Sequence, residues 1–211
     1  MNISKMQTCV HFFVLHSFIF MEILLMFSGG LDSTGAFYQL AIKEKSSLHI
    51  HHMNLKNAEK RAFVESKAVA NVLGYMKNLG AKFVYSESTH EYPVYNNQFV
   101  WDADIASFMA GNICSMIPSI KYAAYGLTKT DLSPSVSSRI EKANKIFSAL
   151  CNASKIYPVQ HMTKKDLVEF LPKDLVNLTW SCRTPIYKNS TAITCGQCKT
   201  CKEFQSQGIE F

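Results

Sequence analysis

The stretch EILLMFSGGLDS, residues 22–33, decides the fold of this 211-residue chain. An apolar run, residues 22–27, enters a turn with two glycines, and a helical pattern follows over residues 34–43. This order predicts a buried strand and a turn whose backbone N–H groups can bind an anion at a helix N-terminus. The turn matches neither G-x-x-x-x-G-K-[ST] nor G-x-G-x-x-G, which excludes two common nucleotide-binding fingerprints. The alternative is a plain strand-to-helix turn in which Asp32 or Ser33 caps the helix.

Short apolar runs and helical patterns continue to alternate after this turn. Four more strands are predicted at residues 48–53, 82–86, 121–125 and 156–159, and four more helices at residues 58–79, 101–116, 137–150 and 163–171. Strands that alternate with helices form a parallel sheet covered on both faces. The sequence therefore predicts an α/β fold with a Rossmann-like, doubly wound, mostly parallel five-stranded sheet, followed by a C-terminal metal-binding tail.

Composition excludes several classes of protein. With 47% hydrophobic and 18% charged residues the chain is not disordered, and six prolines and nine glycines exclude a collagen-like or linker-dominated architecture. The net charge of +6 suits a nucleotide as well as a nucleic acid. The sequence lacks a basic stretch interleaved with aromatic residues, so direct nucleic-acid binding is not expected.

Four cysteines lie close together near the C-terminus: Cys182, Cys195, Cys198 and Cys201. Spacings of two residues allow thiolates to converge on one tetrahedral ion, which favours a structural zinc site. An iron–sulfur cluster is the chief alternative, and disulfides come third. Thiolate ligands in a chain of this length favour a reducing compartment, and we expect a cytoplasmic protein.

The first residues are expected to precede the functional domain. Residues 9–27 are nearly long enough and apolar enough to span a membrane, but they include His11, His16 and Glu22 and lead directly into the first strand. We therefore predict no membrane association, an extension over residues 1–20 with Met21 as the natural start, a nucleotide-binding α/β domain over 21–175 and a zinc-binding segment over 176–211.

The glycine turn resembles the pyrophosphate-binding loop of the N-type ATP pyrophosphatase (PP-loop) superfamily, whose members transfer AMP and release pyrophosphate. The match to S-G-G-x-D-S covers Ser28, Gly29, Gly30, Asp32 and Ser33, with Leu31 at the variable position. The resemblance implies that this loop binds the polyphosphate of ATP through its amides and through the Ser28 and Ser33 hydroxyls. It also implies that Asp32 lies near a catalytic Mg²⁺.

The two ends of the chain together resemble a narrower family, 7-cyano-7-deazaguanine (preQ0) synthase. The C-terminal match is Thr-Trp-Ser-Cys at 179–182 with Cys-Gly-Gln-Cys-Lys-Thr-Cys at 195–201, and shorter matches lie between the ends. The resemblance implies an ATP-dependent ligase that converts the carboxylate of 7-carboxy-7-deazaguanine, with ammonia, to an amide and then a nitrile. It implies Zn²⁺ on the four cysteines and a catalytic Lys164 near a phosphate, where the alternative is a solvated lysine at a helix end.

The sequence departs from this family at three places. Residues 53–56 replace a Tyr-Gly-Gln run, residues 101–104 replace an Arg-Asn pair, and Arg183 replaces a tyrosine. The departures leave open an enzyme that stops at the amide, one that acts on another acceptor in transfer RNA or DNA modification or in defence, and a non-catalytic zinc module. An exposed edge strand would favour a homodimer.

A few other side chains have more than one interpretation. His49, His51 and His52 alternate on the second strand, and we expect them not to bind a metal. Asp102 either approaches the nucleotide or caps its helix. Phe99 and Trp101 are expected to pack in the core, with stacking on a purine-like ring as the alternative. Cys114 and Cys151 are expected to be buried as small apolar side chains.

Overall fold

The structure is a computed structural model, which describes residues 22–91, 101–131 and 137–209. The expected extension over residues 1–20, the proposed start at Met21 and the expected core residue Phe99 lie outside these residues. The domain boundaries at residues 175 and 176 stay predictions.

Five parallel strands form the main sheet, in agreement with the sequence prediction. They are β1 Ile23–Met26, β2 Leu48–Lys56, β3 Phe83–Glu91, β4 Tyr122–Tyr125 and β5 Ser154–Ile156, in the order β3-β2-β1-β4-β5. Both β2 and β3 run beyond their predicted ends. The two strands pair with each other up to Lys56 and Glu91, well past the end of β1, so polar residues there join the ladder.

Helices cover the sheet; the first five follow the predicted sequence order, and a short sixth helix was not predicted. They are α1 Leu31–Tyr38, continued by a π-helical turn Gln39–Lys43, α2 Ala62–Asn78, α3 Asp102–Met116, α4 Ser137–Ser148, α5 Lys164–Phe170 and α6 Lys173–Val176. Thr163 and Asp166 form a capping box at the start of α5. Gly80 follows α2 with a φ of +84°, as expected of a glycine that ends a helix.

The C-terminal segment contains elements that the sequence did not predict. A small antiparallel hairpin consists of β6 Ile186–Lys188 and β7 Thr191–Ile193, and α7 Lys199–Ser206 follows it. Asn189 and Ser190 at the tip both have positive φ angles, as a two-residue hairpin turn with matching twist requires. The hairpin separates the first cysteine of the group from the other three.

Apolar packing fixes the position of the glycine turn. Leu25 and Phe27 lie in the larger of two core clusters together with Phe37 of α1. The Phe27 and Phe37 rings meet edge to face, with 5.5 Å between their centroids. Leu24 and Met26 point to the opposite face and pack in the smaller cluster with Ile113 and Ala110 of α3. Since both faces of β1 are buried, the strand delivers the turn to a defined place at the sheet edge.

Three expectations about individual residues are wrong or hold only in part. Neither Asp32 nor Ser33 caps α1, because this helix already begins at Leu31 with Gly30 as its N-cap. Trp101 is 50% exposed and stacks on the Arg139 guanidinium rather than packing in the core. Cys114 is buried as expected, while Cys151 is only half-buried.

Among the described residues, no helix is both long and apolar enough to cross a membrane.

Candidate nucleotide and metal sites

The glycine turn lies where the strand order reverses, between β1 and β4. Ligands of open α/β sheets bind at this place, outside the carboxyl ends of the strands. The loop after β1 and the loop after β4 meet here so closely that a Cβ added to Gly126 would lie 2.5 Å from the Asp32 carbonyl carbon and from Ser33 Cα. Only glycine permits this approach.

Hydrogen bonds within the turn hold its two serines together. Ser33 Oγ donates to the Gly30 carbonyl at 3.1 Å and lies 3.1 Å from Ser28 Oγ, which accepts from the Gly30 amide at 3.3 Å. Gly29 has a φ of +75°, and a Cβ there would lie 2.9 Å from the Val69 amide nitrogen of α2. The turn therefore requires glycine at position 29 for both conformation and space.

The start of α1 offers unpaired backbone donors. Among the described residues, the amides of Asp32 and Ser33 have no hydrogen-bond acceptor. Donors at a helix N-terminus next to a glycine turn suit an anion with several oxygens, such as a polyphosphate. These residues fit the ATP polyphosphate that the sequence resemblance implies.

Lys164 reaches this turn from the first residue of α5 and forms an ion pair with Asp32. Its Nζ also lies 3.5 Å from Asp131 Oδ2, on the loop after β4. The side chain is 4% exposed, so the interpretation of Lys164 as a solvated lysine at a helix end is wrong. Burial by itself lowers the pKa of Lys164, but the two carboxylates outweigh burial, and the pKa lies above its ordinary value.

Asp32 keeps one carboxylate oxygen without a partner. Its Oδ2 accepts from Lys164, whereas its buried Oδ1 has no hydrogen-bond partner among the described residues. Burial raises the pKa of Asp32 to about 6, although the Lys164 ammonium acts in the opposite direction. A buried carboxylate oxygen without a donor is a ligand that Mg²⁺ prefers, so Asp32 fits the Mg²⁺ that the resemblance implies.

The chain just before Cys182 is bound directly to the glycine turn. The Trp180 amide donates to the Gly29 carbonyl at 3.0 Å, and the Leu31 amide donates to Ser181 Oγ at 3.0 Å. The sequence comparison included Trp180 and Ser181 in a family motif but gave neither a role. Their contact spans about 150 residues of sequence, so no local pattern could have revealed it.

The four cysteines converge as predicted. Their Sγ atoms all lie within 4.8 Å of one another, and Cys195 Sγ and Cys201 Sγ are 3.9 Å apart. Four thiolates around one tetrahedral ion with metal–sulfur bonds of about 2.3 Å would be about 3.8 Å apart. The group is therefore the right size for one ion, whereas a cluster of four irons binds each thiolate to a different iron and needs wider spacing.

Backbone amides turn toward the sulfurs. The Cys195 amide donates to Cys182 Sγ at 3.3 Å, and the Gln197 and Cys198 amides donate to Cys195 Sγ at 3.4 and 3.2 Å. Gly196 has the positive φ, +69°, that lets the chain turn between these ligands. Such donors stabilise negative charge on sulfur, as metal-bound thiolates require.

The helix that carries the last cysteine also contacts the loop after β4 and the start of α5. Thr130 Oγ1 donates to Glu203 Oε1 at 2.7 Å, and the Lys165 amide donates to Gln207 Oε1 at 3.0 Å. A cleft of about 390 Å³ lies between α7 and the loop after β4, and it is lined by Thr130, Asp131, Lys199, Lys202, Glu203 and Ser206.

A charged network joins two of the three places where the sequence departs from the synthase family. Arg183 donates to both oxygens of Glu59 at 3.0 Å and to Asp102 Oδ2 at 2.8 Å. Arg61 pairs with the same two carboxylates and with Glu65. Asp102 therefore binds arginines instead of capping α3, for which Trp101 is the N-cap.

Burial raises the pKa of Glu65 to about 7, although Arg61 acts in the opposite direction. Because the network holds three carboxylates and two guanidiniums, its charge is negative when every group is ionised.

Two histidines of β2, His49 and His51, form hydrogen bonds with serines of β3. His49 Nε2 and His51 Nδ1 lie 2.7 and 2.8 Å from Ser86 Oγ. Burial lowers the pKa of His51 to about 4, so its imidazole is neutral near pH 7. Of the residues that the structure describes, only the four cysteines form a group of three or more converging metal ligands.

Comparison with known proteins supports the fold. No protein-family model matches the sequence, and no curated protein matches it significantly. The U34-tRNA thiolase NcsA from Methanococcus maripaludis, solved with its [4Fe-4S] cluster, is similar in structure, with a TM-score of 0.53 and 14% identity over 89% of this chain and 64% of that chain. NMN synthetase from Francisella tularensis has a TM-score of 0.44 and 11% identity over 90% of this chain and 78% of that chain. The likeness to the thiolase shows a shared fold, an α/β Rossmann-like sheet covered by helices.

Proposed function

We propose that this chain is an ATP-dependent carbon–nitrogen ligase. It transfers AMP from ATP to a carboxylate, with release of pyrophosphate, and ammonia then displaces the AMP. The observation that carries the proposal is the buried Lys164–Asp32 pair beside a glycine turn with unpaired amides, at the switch point of a PP-loop fold. The preferred acceptor is 7-carboxy-7-deazaguanine, because both ends of the sequence resemble the synthase that uses it. Each of two ATP-dependent steps would advance the product, first to the amide and then to the nitrile.

Each residue of the site would have a distinct task. The amides of Asp32 and Ser33 and the hydroxyls of Ser28 and Ser33 would bind the β- and γ-phosphates. Asp32 Oδ1 would bind Mg²⁺, which supplies charge neutralisation as pyrophosphate departs. Lys164 holds the other oxygen of Asp32 in place and would donate to a phosphate oxygen.

The four cysteines would hold one structural Zn²⁺. All four ligands come from the protein, which leaves no open position for a substrate. The test is the metal content of protein expressed in minimal medium supplemented with zinc and iron. One zinc per chain without sulfide supports the proposal, whereas iron with acid-labile sulfide would overturn it.

A second acceptor is favoured by the charged network around Arg183. Arg183 and Asp102 occupy two places where the synthase family has other residues, and they bind each other. Because substrate contacts in this fold lie at the same ends of the strands, the exchange would change the acceptor and leave the ATP chemistry intact. The candidate is a PP-loop enzyme that adenylates a different carboxylate or base.

The experiment incubates full-length, metal-loaded protein with ATP, Mg²⁺, ammonium and 7-carboxy-7-deazaguanine, and it measures AMP and the deazaguanine products by mass spectrometry. Nitrile with AMP supports the full reaction, and amide with AMP supports the acceptor with a single step. AMP without either product favours the second candidate. No AMP under any of these conditions contradicts the proposal.

Two substitutions connect the outcome to the site. Asp32→Asn keeps the size of the side chain but removes the charge, and we expect AMP formation to fall on the order of 10²–10³-fold. Asp174→Asn, on the exposed first turn of α6, is the matched control and should leave the rate unchanged. Equal rates for the two variants would remove Asp32 from the mechanism.

A further inference from the structure

We infer that Ser181 is a positioning residue through which the cysteine site controls the affinity of the glycine turn for nucleotide. The inference rests on the proposed function, since it concerns the polyphosphate that this turn would bind. The metal would then do more than stabilise the C-terminal segment: metal binding and nucleotide binding would each strengthen the other.

The glycine turn is held from outside by one short piece of chain. The Leu31 amide, at the first position of α1, donates to Ser181 Oγ at 3.0 Å, and the Gly29 carbonyl accepts from the Trp180 amide at 3.0 Å. The two bonds flank Gly30, where an added Cβ would lie 3.3 Å from the Trp180 carbonyl oxygen. The orientation of the unpaired amides that follow Leu31 therefore depends on where residues 180 and 181 lie.

Residues 179–182 have no regular secondary structure of their own. On the N-terminal side they follow α6, to which Thr179 Oγ1 is tied by a 2.9 Å hydrogen bond to the Val176 carbonyl. At its C-terminal end this stretch includes Cys182, a proposed metal ligand, whose carbonyl accepts from Trp180 Nε1 at 2.8 Å. Ser181 thus lies between a helix end and the metal site.

A metal at the cysteine site would join distant parts of the chain. Cys182 is separated from Cys195 by the hairpin, and Cys198 and Cys201 lie at the start of α7. Metal binding by a short segment is coupled to its folding, so the metal would hold this arrangement together. Loss of the metal would release Cys182, and with it the Ser181 hydroxyl and the Trp180 amide.

Thermodynamic linkage makes the coupling measurable in both directions. If the metal increases the affinity for nucleotide by a given factor, nucleotide increases the affinity for metal by the same factor. One hydrogen bond of ordinary strength predicts a factor of roughly 2–12.

The experiment follows release of Zn²⁺ from the full-length, zinc-loaded protein to a colorimetric chelator in excess. Release is measured with and without α,β-methylene-ATP and Mg²⁺, and binding of the same analogue is measured separately by calorimetry. We expect the analogue to slow release roughly 2- to 12-fold. If the analogue binds and release is unchanged, the inference is wrong while the proposed function stands; if the analogue does not bind at all, the proposed function fails first.

Substitutions at position 181 separate this coupling from general stabilisation by the ligand. Ser181→Ala removes the acceptor for the Leu31 amide and keeps all four cysteines, so one zinc should remain while the analogue binds several-fold more weakly and slows release less. Ser181→Thr keeps the hydroxyl and should restore both effects. Thr191→Ala, on the exposed hairpin between the same cysteines, is the control and should behave as the wild type. Undiminished coupling in Ser181→Ala would overturn the role of Ser181.

Discussion

Gly126 provides a severe test of the site geometry, because a single methyl group is enough to disturb it. A Cβ at this position would lie 2.5 Å from two backbone atoms of Asp32 and Ser33, whereas ordinary van der Waals contacts are 3.4–4 Å. Backbone cannot rotate away as a flexible side chain can. Gly126→Ala must therefore push the loop after β4 and the start of α1 apart by about 1 Å.

The expected cost follows from overpacking. Inserting a methyl group into a tightly packed site costs roughly 1–3 kcal/mol, and rigid neighbours favour the upper end, about 3 kcal/mol of unfolding free energy. In a domain of this size, losing about 3 kcal/mol of unfolding free energy lowers the Tm by about 6–12 °C. Binding of α,β-methylene-ATP with Mg²⁺ should weaken as well, because the displaced atoms belong to the proposed phosphate site.

Gly74→Ala is the matched control. Gly74 lies inside α2, and a Cβ there would meet no atom within 4 Å. Alanine is the better helix former, so we expect unfolding free energy to rise by up to about 1 kcal/mol with nucleotide binding unchanged. Urea denaturation measures the unfolding free energy of both variants, and calorimetry measures their affinity for the nucleotide analogue. If Gly126→Ala retains wild-type stability and affinity, the close approach of the two loops is refuted.

Three further predictions concern charge, pH and metal. Lys164→Met leaves the Asp32 and Asp131 carboxylates without their cation and should cost about 3 kcal/mol of unfolding free energy in urea denaturation. Lys165→Met, at the exposed neighbouring position, is the control and should cost little. Equal losses of unfolding free energy in the two variants would argue against the buried pair. Because burial raises the pKa of Asp32 to about 6, protonation below that pH removes the Mg²⁺ ligand. Calorimetry of Mg²⁺-dependent nucleotide binding should then show affinity falling about tenfold per pH unit below pH 6, and a flat profile would exclude Asp32 as the ligand. Cys198→Ser should lower metal content and make the segment after residue 182 sensitive to limited proteolysis, whereas Cys151→Ser, outside the metal site, should retain the metal and resist cleavage.

Much of the fold was predictable because it is recorded in local patterns. Four of the five strands lie on predicted apolar runs, whereas β5 overlaps its predicted range, 156–159, only at Ile156. A parallel sheet follows from the alternation of such runs with helical patterns. The ends of β2 and β3 were missed because their polar residues carry no apolar pattern, and only pairing between the strands makes them part of the sheet. The hairpin of β6 and β7 was missed because its three-residue strands are mostly exposed.

The candidate site was predictable where a motif concentrates the chemistry and not where distant residues meet. The glycine turn and the four cysteines lie in short stretches, so sequence alone could identify both. Arg183 and Asp102 were recorded as separate departures from a family, yet they form one ion pair across 81 positions. Trp101 was expected in the core, but the fold leaves this tryptophan at the surface, where Arg139 stacks on its ring.

The sequence by itself determined the alternation of strands and helices in the main sheet, the glycine turn and the set of four thiolates, because periodicity and short motifs act over a few residues. Only the tertiary structure decided that Lys164 is buried against Asp32, that Gly126 closes against the turn, and that Ser181 links the turn to the cysteine site. These contacts join parts of the chain that are about 90 to 150 residues apart, and packing of both faces of the sheet brings them to one edge. Burial there, rather than residue type, sets the charge state of Asp32 and the role of the lysine beside it.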